Sequence, residues 1–282
     1  MPELPEVEIL VRHLAPLLSG KRIHSVQVRR ARVIRPGSES ALNRALTGST
    51  FTTTTRRGKY ILFNLRQPNR KSVTLVGHLG MTGRMYLAPS AQTLPKHAAV
   101  VINLGKYNLI FEDTRYFGRL ILDDSSIEHL GPEPFGRDFT PRHLASALSR
   151  SNQSIKIKLL DQSLVAGIGN IYASESLFDA KISPLLPAKN LNPRQIRHLH
   201  RSIRKVLQRA IRFGSTVPLD YSGKSPRNRL FYYGSSEKAR RHHAERLLVY
   251  DRAGKPCPRC ATPIRRIVQA ARSTFFCPHC QK

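Results

Sequence analysis

The N-terminus of the chain offers an unusual nucleophile. Met1 precedes the small residue Pro2, and removal of the methionine would leave a secondary amine at the terminus. Free α-amino groups titrate near about 7.7 to 8, so a useful fraction of such an amine is neutral at cellular pH, whereas an unperturbed lysine is almost wholly protonated. A neutral amine can attack an electrophilic carbon. The alternative is that Pro2 is an ordinary, unstructured chain start.

A second group of reactive side chains lies near the C-terminus. It consists of two Cys-x-x-Cys pairs, Cys257, Cys260, Cys277 and Cys280. Two pairs at this separation match a zinc ribbon, in which four thiolates complete a closed tetrahedral site. The alternative is a pair of disulfides, which the absence of a secretion signal disfavours. Because a closed site leaves no position for substrate, we expect one structural Zn²⁺.

The elements that must position these groups change character along the chain. Apolar residues at helical spacing predict an amphipathic helix over residues 5–18. Short β-rich runs separated by turn residues follow and predict an antiparallel sandwich or barrel. The runs are 23–33, 51–65, 72–77, 98–104 and 107–123.

Helical periodicity takes over after the turn residues around Gly131 and Pro134. The predicted helices are 142–149, 155–161, 170–179 and 193–213, and the longest has an apolar stripe with arginines on its other faces. Residues 214–245 are basic and too long for an ordinary connection, which indicates a functional or partly disordered loop. We predict a β-sandwich domain at 1–131, a helical domain at 132–245 and a zinc ribbon at 246–282.

The charge of the chain calls for an anionic partner. Its 47 Lys and Arg residues outnumber 18 Asp and Glu residues, which gives a formal net charge of +29. A merely solvated surface does not need such an excess, so nucleic acid is the first candidate. The sequence has no apolar run of membrane-spanning length, no signal peptide and no lipidation motif, and it therefore predicts a soluble intracellular protein.

Motifs along nearly the whole chain resemble those of the formamidopyrimidine-DNA glycosylase family. They are the N-terminal Met-Pro-Glu-Leu-Pro-Glu, His78-Leu-Gly-Met-Thr-Gly83, Asp113-Thr-Arg-Tyr-Phe-Gly118, Gly131-Pro-Glu-Pro134, Leu160-Asp-Gln162, Val165-Ala-Gly-Ile-Gly-Asn170-Ile-Tyr and Phe276-Cys-Pro-His-Cys-Gln281. The resemblance implies an α+β multidomain protein with an N-terminal antiparallel β-sandwich and helix, a helix-two-turns-helix domain and a C-terminal zinc ribbon. It also implies a bacterial, cytoplasmic monomer that binds duplex DNA in the cleft between domains.

The activity implied by the resemblance is bifunctional. The enzyme excises oxidised purines, such as 8-oxoguanine and formamidopyrimidines, and then cleaves the strand at the abasic site by β,δ-elimination. Pro2 would attack the anomeric carbon and form a Schiff base that serves both steps. Glu3 would act as the general acid. Glu6 would orient the terminus, unless it only complements the helix dipole.

The resemblance also assigns phosphate contacts. Lys59 would bind phosphate beside the lesion and donate a proton in β-elimination. Arg272 would clamp phosphate with its planar fork and take part in δ-elimination. Asn170 opens a helix, where backbone amides attract phosphate, and Lys156 would lie near the DNA backbone.

His97 is the site residue whose surroundings depart from the family pattern. It too would lie near the DNA backbone. Ala98 and Ala99 follow it where the family commonly carries a polar His-Asp-His pattern. We therefore expect the local hydrogen-bond partners of His97 to be missing.

Extrusion of a stacked base requires a wedge that fills the gap. Met81, Arg115 and Phe117 match the wedge of the family, with the apolar pair stacking on bases and the arginine binding the orphaned partner base. The alternative for Met81 and Phe117 is a place in the sandwich core. Flanking glycines indicate turns, from which side chains project outward, and they favour the wedge.

Two other functions fit parts of the sequence. An endonuclease VIII-like glycosylase for oxidised pyrimidines would share Pro2, Glu3 and Glu6, but its start usually reads Pro-Glu-Gly-Pro rather than Pro-Glu-Leu-Pro. By the resemblance, residues 214–245 would cover the family's base-recognition loop, and they match the family only in part, so the sequence leaves the lesion preference open. A DNA-binding protein without catalysis would explain the charge and the ribbon, but it would not need Pro2 beside Glu3.

Overall fold

A computed structural model describes residues 2–122, 125–214 and 247–282 of the chain. These residues form two compact units, each with its own buried core. The first unit runs to Glu128, and the second holds His129–Phe213 together with residues 247–282. The partition into three domains at residues 131 and 245 stays a prediction. The predicted loop at 214–245 lies, beyond Gly214, outside the described residues.

Helix α1 (Leu4–Leu18) opens the first unit, as predicted. Apolar residues recur every three or four positions and bury one face in the core, where Val7, Leu10 and Leu14 are almost fully buried. Pro5 fits the first turn because N–H groups there have no intrahelical partner. Gly20 follows the helix with φ +75°, a left-handed conformation that glycine adopts without strain.

The first unit contains eight strands: β1 (Ser25–Val28), β2 (Thr50–Arg57), β3 (Tyr60–Arg66), β4 (Ser72–His78), β5 (Arg84–Pro89), β6 (Ala98–Asn103), β7 (Tyr107–Glu112) and β8 (Arg119–Ile121). They form two antiparallel sheets, with strand orders β1–β6–β7–β5 and β2–β3–β4–β8. Phe63 of β3 and Phe111 of β7 belong to the same core. The predicted antiparallel sandwich is confirmed.

Several predicted β runs are divided by turns. The run 51–65 becomes β2 and β3, joined at Gly58 and Lys59, so Lys59 lies in a hairpin turn and not on a strand as predicted. The run 107–123 becomes β7 and β8, which belong to different sheets because the loop at 113–118 separates them. Only β1 remains of the run 23–33, since a 3₁₀ turn, Ala31–Ile34, follows it.

Three further elements of the first unit have weak sequence signals. Helix α2 (Glu39–Leu46) starts at Ser38, whose hydroxyl accepts a hydrogen bond from the Ala41 N–H. Strand β5 lies at the edge of its sheet and pairs with β7. Helix α3 (Ser125–Glu128) is a single turn at the end of the unit. Helix α2 thus depends on its cap, and β5 on its pairing with β7, more than on periodicity.

The second unit is helical until its last segment. Its helices are α4 (Pro141–Leu148), α5 (Ile155–Lys158), α6 (Asn170–Ala180) and α7 (Pro193–Gly214), with a 3₁₀ turn at Ala188–Asn190. The four predicted helices are confirmed within a few residues. Strands β9 (Arg265–Gln269) and β10 (Arg272–Phe276) then form an antiparallel hairpin. The hairpin packs in one apolar cluster with Phe178 of α6 and Val249.

The longest helix, α7, has the predicted stripe. Leu199, Ile203 and Leu207 are fully buried, whereas Arg194 and Arg201 are exposed. No helix in the described part of the chain combines the length and the hydropathy that a membrane crossing needs.

Candidate functional site

The start of helix α1 holds the predicted nucleophile and its carboxylate neighbours. Pro2, Glu3 and Glu6 are all buried. Glu3 and Glu6 form a capping box, in which Oε2 of Glu6 accepts a hydrogen bond from the Glu3 N–H at 2.7 Å. Glu6 therefore fixes the backbone one residue from the Pro2 amine. This favours the orienting role over simple complementation of the helix dipole.

An ion pair ties α1 to the strand that leads to Lys59. Glu8 accepts hydrogen bonds from Arg12 and from Arg56 of β2, each at 2.7 Å. Burial by itself would raise the pKa of Glu8, but the hydrogen bonds and charges of Arg56 and Arg12 outweigh burial and lower that pKa. Glu8 thus stays ionised, and it links helix α1 to the end of β2, next to the β2–β3 turn.

Lys59 and His78 lie close enough to interact electrostatically. Lys59 is buried in the β2–β3 turn, and His78 ends β4. Burial, followed by the positive charges of Lys59 and Arg119, lowers the pKa of His78 to about 4. His78 is therefore neutral at neutral pH, and its Nδ1 accepts a hydrogen bond from the Gly80 N–H at 3.2 Å. The neutral ring adds no positive charge beside Lys59.

The predicted wedge residues project from two adjoining turns. Met81 and Phe117 are 44% and 41% exposed, so neither belongs to the sandwich core, and the guanidinium of Arg115 lies 4.7 Å from the centre of the Phe117 ring. Gly80 has φ +60°, and a Cβ there would come within 2.6 Å of the Gly118 nitrogen. Only glycine lets the two turns meet this closely.

Asp113 organises the loop that carries Arg115 and Phe117. Its fully buried carboxylate accepts hydrogen bonds from the Arg115 N–H at 3.1 Å and the Gly118 N–H at 2.8 Å. The hydroxyl of Thr82, next to Met81, donates to the same carboxylate at 2.5 Å. One side chain therefore joins both turns of the wedge.

Two arginines support the same loop, Arg119 at its end and Arg32 from another segment. Arg119 donates to the Gly118 carbonyl at 2.9 Å and to the Phe117 carbonyl at 3.4 Å. The guanidinium of Arg32, from the 3₁₀ turn, lies 5.7 Å from the centre of the Phe117 ring. We define residues 113–119 as the wedge loop.

Tyr116 supplies a hydrogen-bond partner for His97 that the residues next to His97 do not. Ala98 and Ala99 are fully buried in β6 and offer His97 no side-chain partner. The Tyr116 hydroxyl instead lies 3.3 Å from Nδ1 of His97. Tyr116 itself has φ +53°, which is unusual for a residue with a side chain, and Arg30 lies over its ring. The residues after His97 thus supply no hydrogen-bond partner, as expected, but a residue 19 positions away in the chain does.

In the second unit, Asn170 and Lys156 meet at the ribbon hairpin. Asn170 donates from Nδ2 to the Ser273 carbonyl at 2.9 Å, and the Lys156 ammonium lies 3.5 Å from the same oxygen. Lys156 is fully buried, so its position supports the hairpin, and its predicted contact with the DNA backbone stays a prediction. Arg272, one residue earlier, is exposed at the start of β10.

The hairpin turn that precedes Arg272 has a defined shape. Ala270 and Ala271 have φ of +46° and +58° and link the paired residues Gln269 and Arg272. Two left-handed residues make the tight turn whose twist matches that of an antiparallel hairpin. Arg272 thus extends directly from this turn.

The cysteines form a compact set of sulfur ligands. Their Sγ atoms all lie within 4.8 Å of one another, and the Cys257–Cys280 and Cys260–Cys277 distances are 3.9 and 3.5 Å. A tetrahedral zinc site with Zn–S bonds of about 2.3 Å requires sulfur separations of roughly 3.8 Å. The four thiols therefore fit Zn²⁺, which would hold the two knuckles together and leave no ligand position for substrate.

Glu175 links helix α6 to the segment that leads into the ribbon. Its buried carboxylate accepts hydrogen bonds from the N–H groups of Leu248, Val249 and Tyr250 at 2.9 to 3.0 Å. Burial raises the pKa of Glu175, although these N–H groups and the charge of Arg209 act in the opposite direction. The start of the ribbon is thereby fixed to the helical part of the unit.

Sequence reasoning missed the supporting roles of Asp113, Arg119, Tyr116 and Glu175. Only Asp113 had a usable signal, because an aspartate two residues before a turn residue commonly accepts a hydrogen bond from that residue's N–H. The partners of Glu175 depend on how distant segments pack, and those of Arg119, which are carbonyls of the residues just before it, depend on the shape of the loop. A glutamate inside a helix looks like an ordinary surface residue until its partners are known.

Three family models match successive parts of the chain. The formamidopyrimidine-DNA glycosylase N-terminal domain matches residues 1–120, and the H2TH domain of the same enzymes matches residues 130–220. The zinc finger found in FPG and IleRS matches residues 254–282. This last match agrees with the cysteine geometry and confirms the predicted structural zinc site.

Relatives cover the chain from end to end. The formamidopyrimidine-DNA glycosylases of Chloroflexus aurantiacus and Symbiobacterium thermophilum are 42% and 40% identical to it over its full length, which corresponds to 98% and 89% of those proteins. A solved complex of Lactococcus lactis Fpg with DNA containing an abasic site has a TM-score of 0.86 at 34% identity, with 99% of each chain covered. The chain belongs to the formamidopyrimidine-DNA glycosylase family.

Proposed function

We propose that this chain excises oxidised purines from duplex DNA and cleaves the strand at the resulting abasic site, with the Pro2 amine as the nucleophile. The observation that carries the proposal is the buried Pro2–Glu3 pair at the start of α1, held by the hydrogen bond from the Glu3 N–H to Glu6. Similar solved proteins are bound to DNA containing N7-benzyl-Fapy-dG or carbocyclic 8-oxo-G, which are both purine lesions.

The chemistry proceeds in two stages. The Pro2 nitrogen forms a bond to C1′ of the damaged nucleotide while the glycosidic bond breaks, and the base departs with that electron pair and with the proton that the Pro2 amine loses. Glu3 supplies a proton as the sugar ring opens. The product is an iminium that acidifies the neighbouring C2′–H. Loss of that proton expels the 3′ phosphate, and a second elimination then expels the 5′ phosphate.

The remaining site residues bind and orient the DNA in this proposal. Lys59 and Arg272 hold phosphates at the lesion. The wedge residues Met81, Arg115 and Phe117 fill the gap left by the extruded base. Zn²⁺, when bound by the four cysteines, stabilises the hairpin that carries Arg272 and takes no part in bond breaking.

The place of action follows from the substrate. The relatives of the chain come from bacteria. A protein that acts on chromosomal DNA in a bacterium works in the cytoplasm and associates with the nucleoid through DNA. A single lesion needs one active site, so a monomer suffices.

Borohydride trapping tests the nucleophile. The chain is incubated with duplexes that carry 8-oxoguanine, an oxidised pyrimidine or an abasic site, and the covalent adduct is measured on a gel. We expect an adduct with the 8-oxoguanine and abasic duplexes, and none with Pro2→Gly. Pro68→Gly, at an exposed surface loop, is the matched control and should trap like the parent protein.

Three results would change this proposal. Equal trapping by Pro2→Gly would remove Pro2 as the nucleophile. Trapping only on the oxidised pyrimidine would indicate an endonuclease VIII-like specificity. Tight DNA binding with no adduct on any duplex would leave a lesion-binding protein without catalysis. Intact mass supports the same test, since a protein that wholly retains Met1 has no free Pro2 amine.

A further inference from the structure

Helix α7 is basic along its whole length and has no acidic residue. Its Lys and Arg residues are Arg194, Arg197, Arg201, Arg204, Lys205, Arg209 and Arg212. By contrast, α1 carries Glu6 and Glu8, and Glu8 pairs with Arg12 on the same helix. The positive charge of the chain is therefore not spread evenly over its helices.

Several of these side chains lie on one face of α7. With about 3.6 residues per turn, Arg194, Arg201, Lys205 and Arg212 project within roughly 20° of one line along the helix. All four are exposed, and the line is opposite the buried Ile203. At about 1.5 Å per residue the line extends for roughly 27 Å. Arg197 is also exposed and flanks it.

This arrangement costs the isolated helix stability. Like charges four residues apart, such as Arg197, Arg201 and Lys205, destabilise a helix. Arg194 adds to the cost because it lies in the first turn, where the helix dipole is positive. Among the described residues on this line, the charge of Lys205 is balanced by the carboxylate of Asp179, whose Oδ1 lies 2.9 Å from the Lys205 Nζ. Within the described ranges, the four arginines of the face form no ion pair.

We propose that Arg194, Arg197, Arg201 and Arg212, which we call the α7 basic face, bind the phosphate backbone of a DNA segment outside the lesion site. The proposal rests on the proposed function only in taking DNA as the ligand. Duplex DNA carries one negative charge per about 1.7 Å of its axis, so a row of arginines can neutralise several phosphates. Arginine forks also suit phosphate oxygens.

The composition of the face disfavours a protein partner. The side chains on and beside the line, including His198 and Gln208, are all polar or charged. A stable protein interface needs an apolar core, which this surface does not offer. A second DNA contact would hold the enzyme on undamaged DNA while it searches, because electrostatic contacts allow sliding and hopping along the duplex.

The test separates search from chemistry. Arg194→Gln/Arg197→Gln/Arg201→Gln removes three charges, and glutamine has nearly the same helix propensity as arginine. Arg44→Gln/Arg66→Gln/Arg70→Gln removes three exposed charges of the first unit and is the matched control. Two quantities are measured for each protein: the salt dependence of binding to a long undamaged duplex, and single-turnover excision from a lesion duplex of little more than one helical turn.

We expect the α7 variant to lose about 0.9 from the slope of log K against log salt for each lost phosphate contact, roughly 3 in total. Its affinity for the long duplex should fall at least about tenfold at low salt, while excision from the short duplex stays unchanged. The control should match the parent protein in both the salt dependence of binding and the rate of excision. An unchanged slope, or an equal loss in the control, would overturn the proposal. A parent protein that binds the long duplex but excises nothing would instead count against the proposed function.

Discussion

The start of helix α1 and the wedge loop reach their geometry in different ways. Glu3 and Glu6 lie within one turn of helix, and a hydrogen bond between them fixes the backbone next to Pro2. The wedge loop is instead held by contacts from residues far apart in the chain, among them Thr82 and His97. The first site depends on a few consecutive residues, and the second depends on the packing of the whole sandwich.

This difference affects what a substitution can do. A change at the helix start removes a reacting group while the helix keeps its other hydrogen bonds, so chemistry is lost and the fold is kept. A change in the wedge loop alters one contact among several, so base extrusion is weakened by degrees. The comparison holds only if variants in the two regions affect different steps.

The largest expected effect belongs to the helix start. Glu3→Gln keeps a side-chain oxygen that can accept the capping hydrogen bond from the Glu6 N–H, but it has no acidic proton to donate. General acid catalysis contributes about 10²–10⁴-fold, so we expect a loss of at least about 100-fold in single-turnover excision of 8-oxoguanine. Affinity for lesion DNA and thermal stability should stay close to those of the parent. Excision within about threefold of the parent would show that Glu3 is not the acid.

A smaller effect is expected at the centre of the wedge loop. Asp113→Asn has the same shape, but its amide nitrogen cannot accept hydrogen bonds, so either the Gly118 N–H or the Thr82 and Arg115 donors lose their acceptor. A buried donor without an acceptor costs about 1 to 3 kcal/mol. We expect about a tenfold slower excision of 8-oxoguanine, measured in single turnover.

The same variant should cleave a preformed abasic site almost normally, because that substrate has no base to extrude. Asp138→Asn, at an exposed aspartate of the second unit, is the control and should leave both rates unchanged. If Asp113→Asn slows both reactions equally, the loop does not act on extrusion, and the distinction between the two regions fails.

The sequence predicts the helix start better than the wedge loop for the same reason. Pro5 in the first turn and the apolar spacing of α1 are local signals, and they correctly place Glu6 in the first turn of α1, with Glu3 just before the helix as its N-cap. The zinc ligands are equally local in pattern. Glycine neighbours correctly indicate that Met81 and Phe117 project from turns. Local chemistry therefore suffices wherever a site is built from neighbouring residues.

Long-range partners escaped prediction for a physical reason. The loss of polar residues after His97 suggested missing hydrogen bonds, yet Tyr116 of the wedge loop supplies one. Lys59 was expected on a strand, but a continuous β pattern does not reveal where a two-residue turn falls. Such features depend on register and packing, which a pattern of residue types does not contain.

The smallest expected effect tests the contact between His97 and Tyr116. Tyr116→Phe removes the hydroxyl that lies 3.3 Å from Nδ1 of His97 and keeps the ring beneath Arg30. A long, half-exposed hydrogen bond contributes at the lower end of about 0.5–1.5 kcal/mol, so excision of 8-oxoguanine should slow about twofold. Tyr107→Phe, which is 48% exposed at the start of β7, should have no effect. A loss above about tenfold would mean that the hydroxyl itself contacts DNA, and the wedge loop would then depend on a single residue in the way the helix start does.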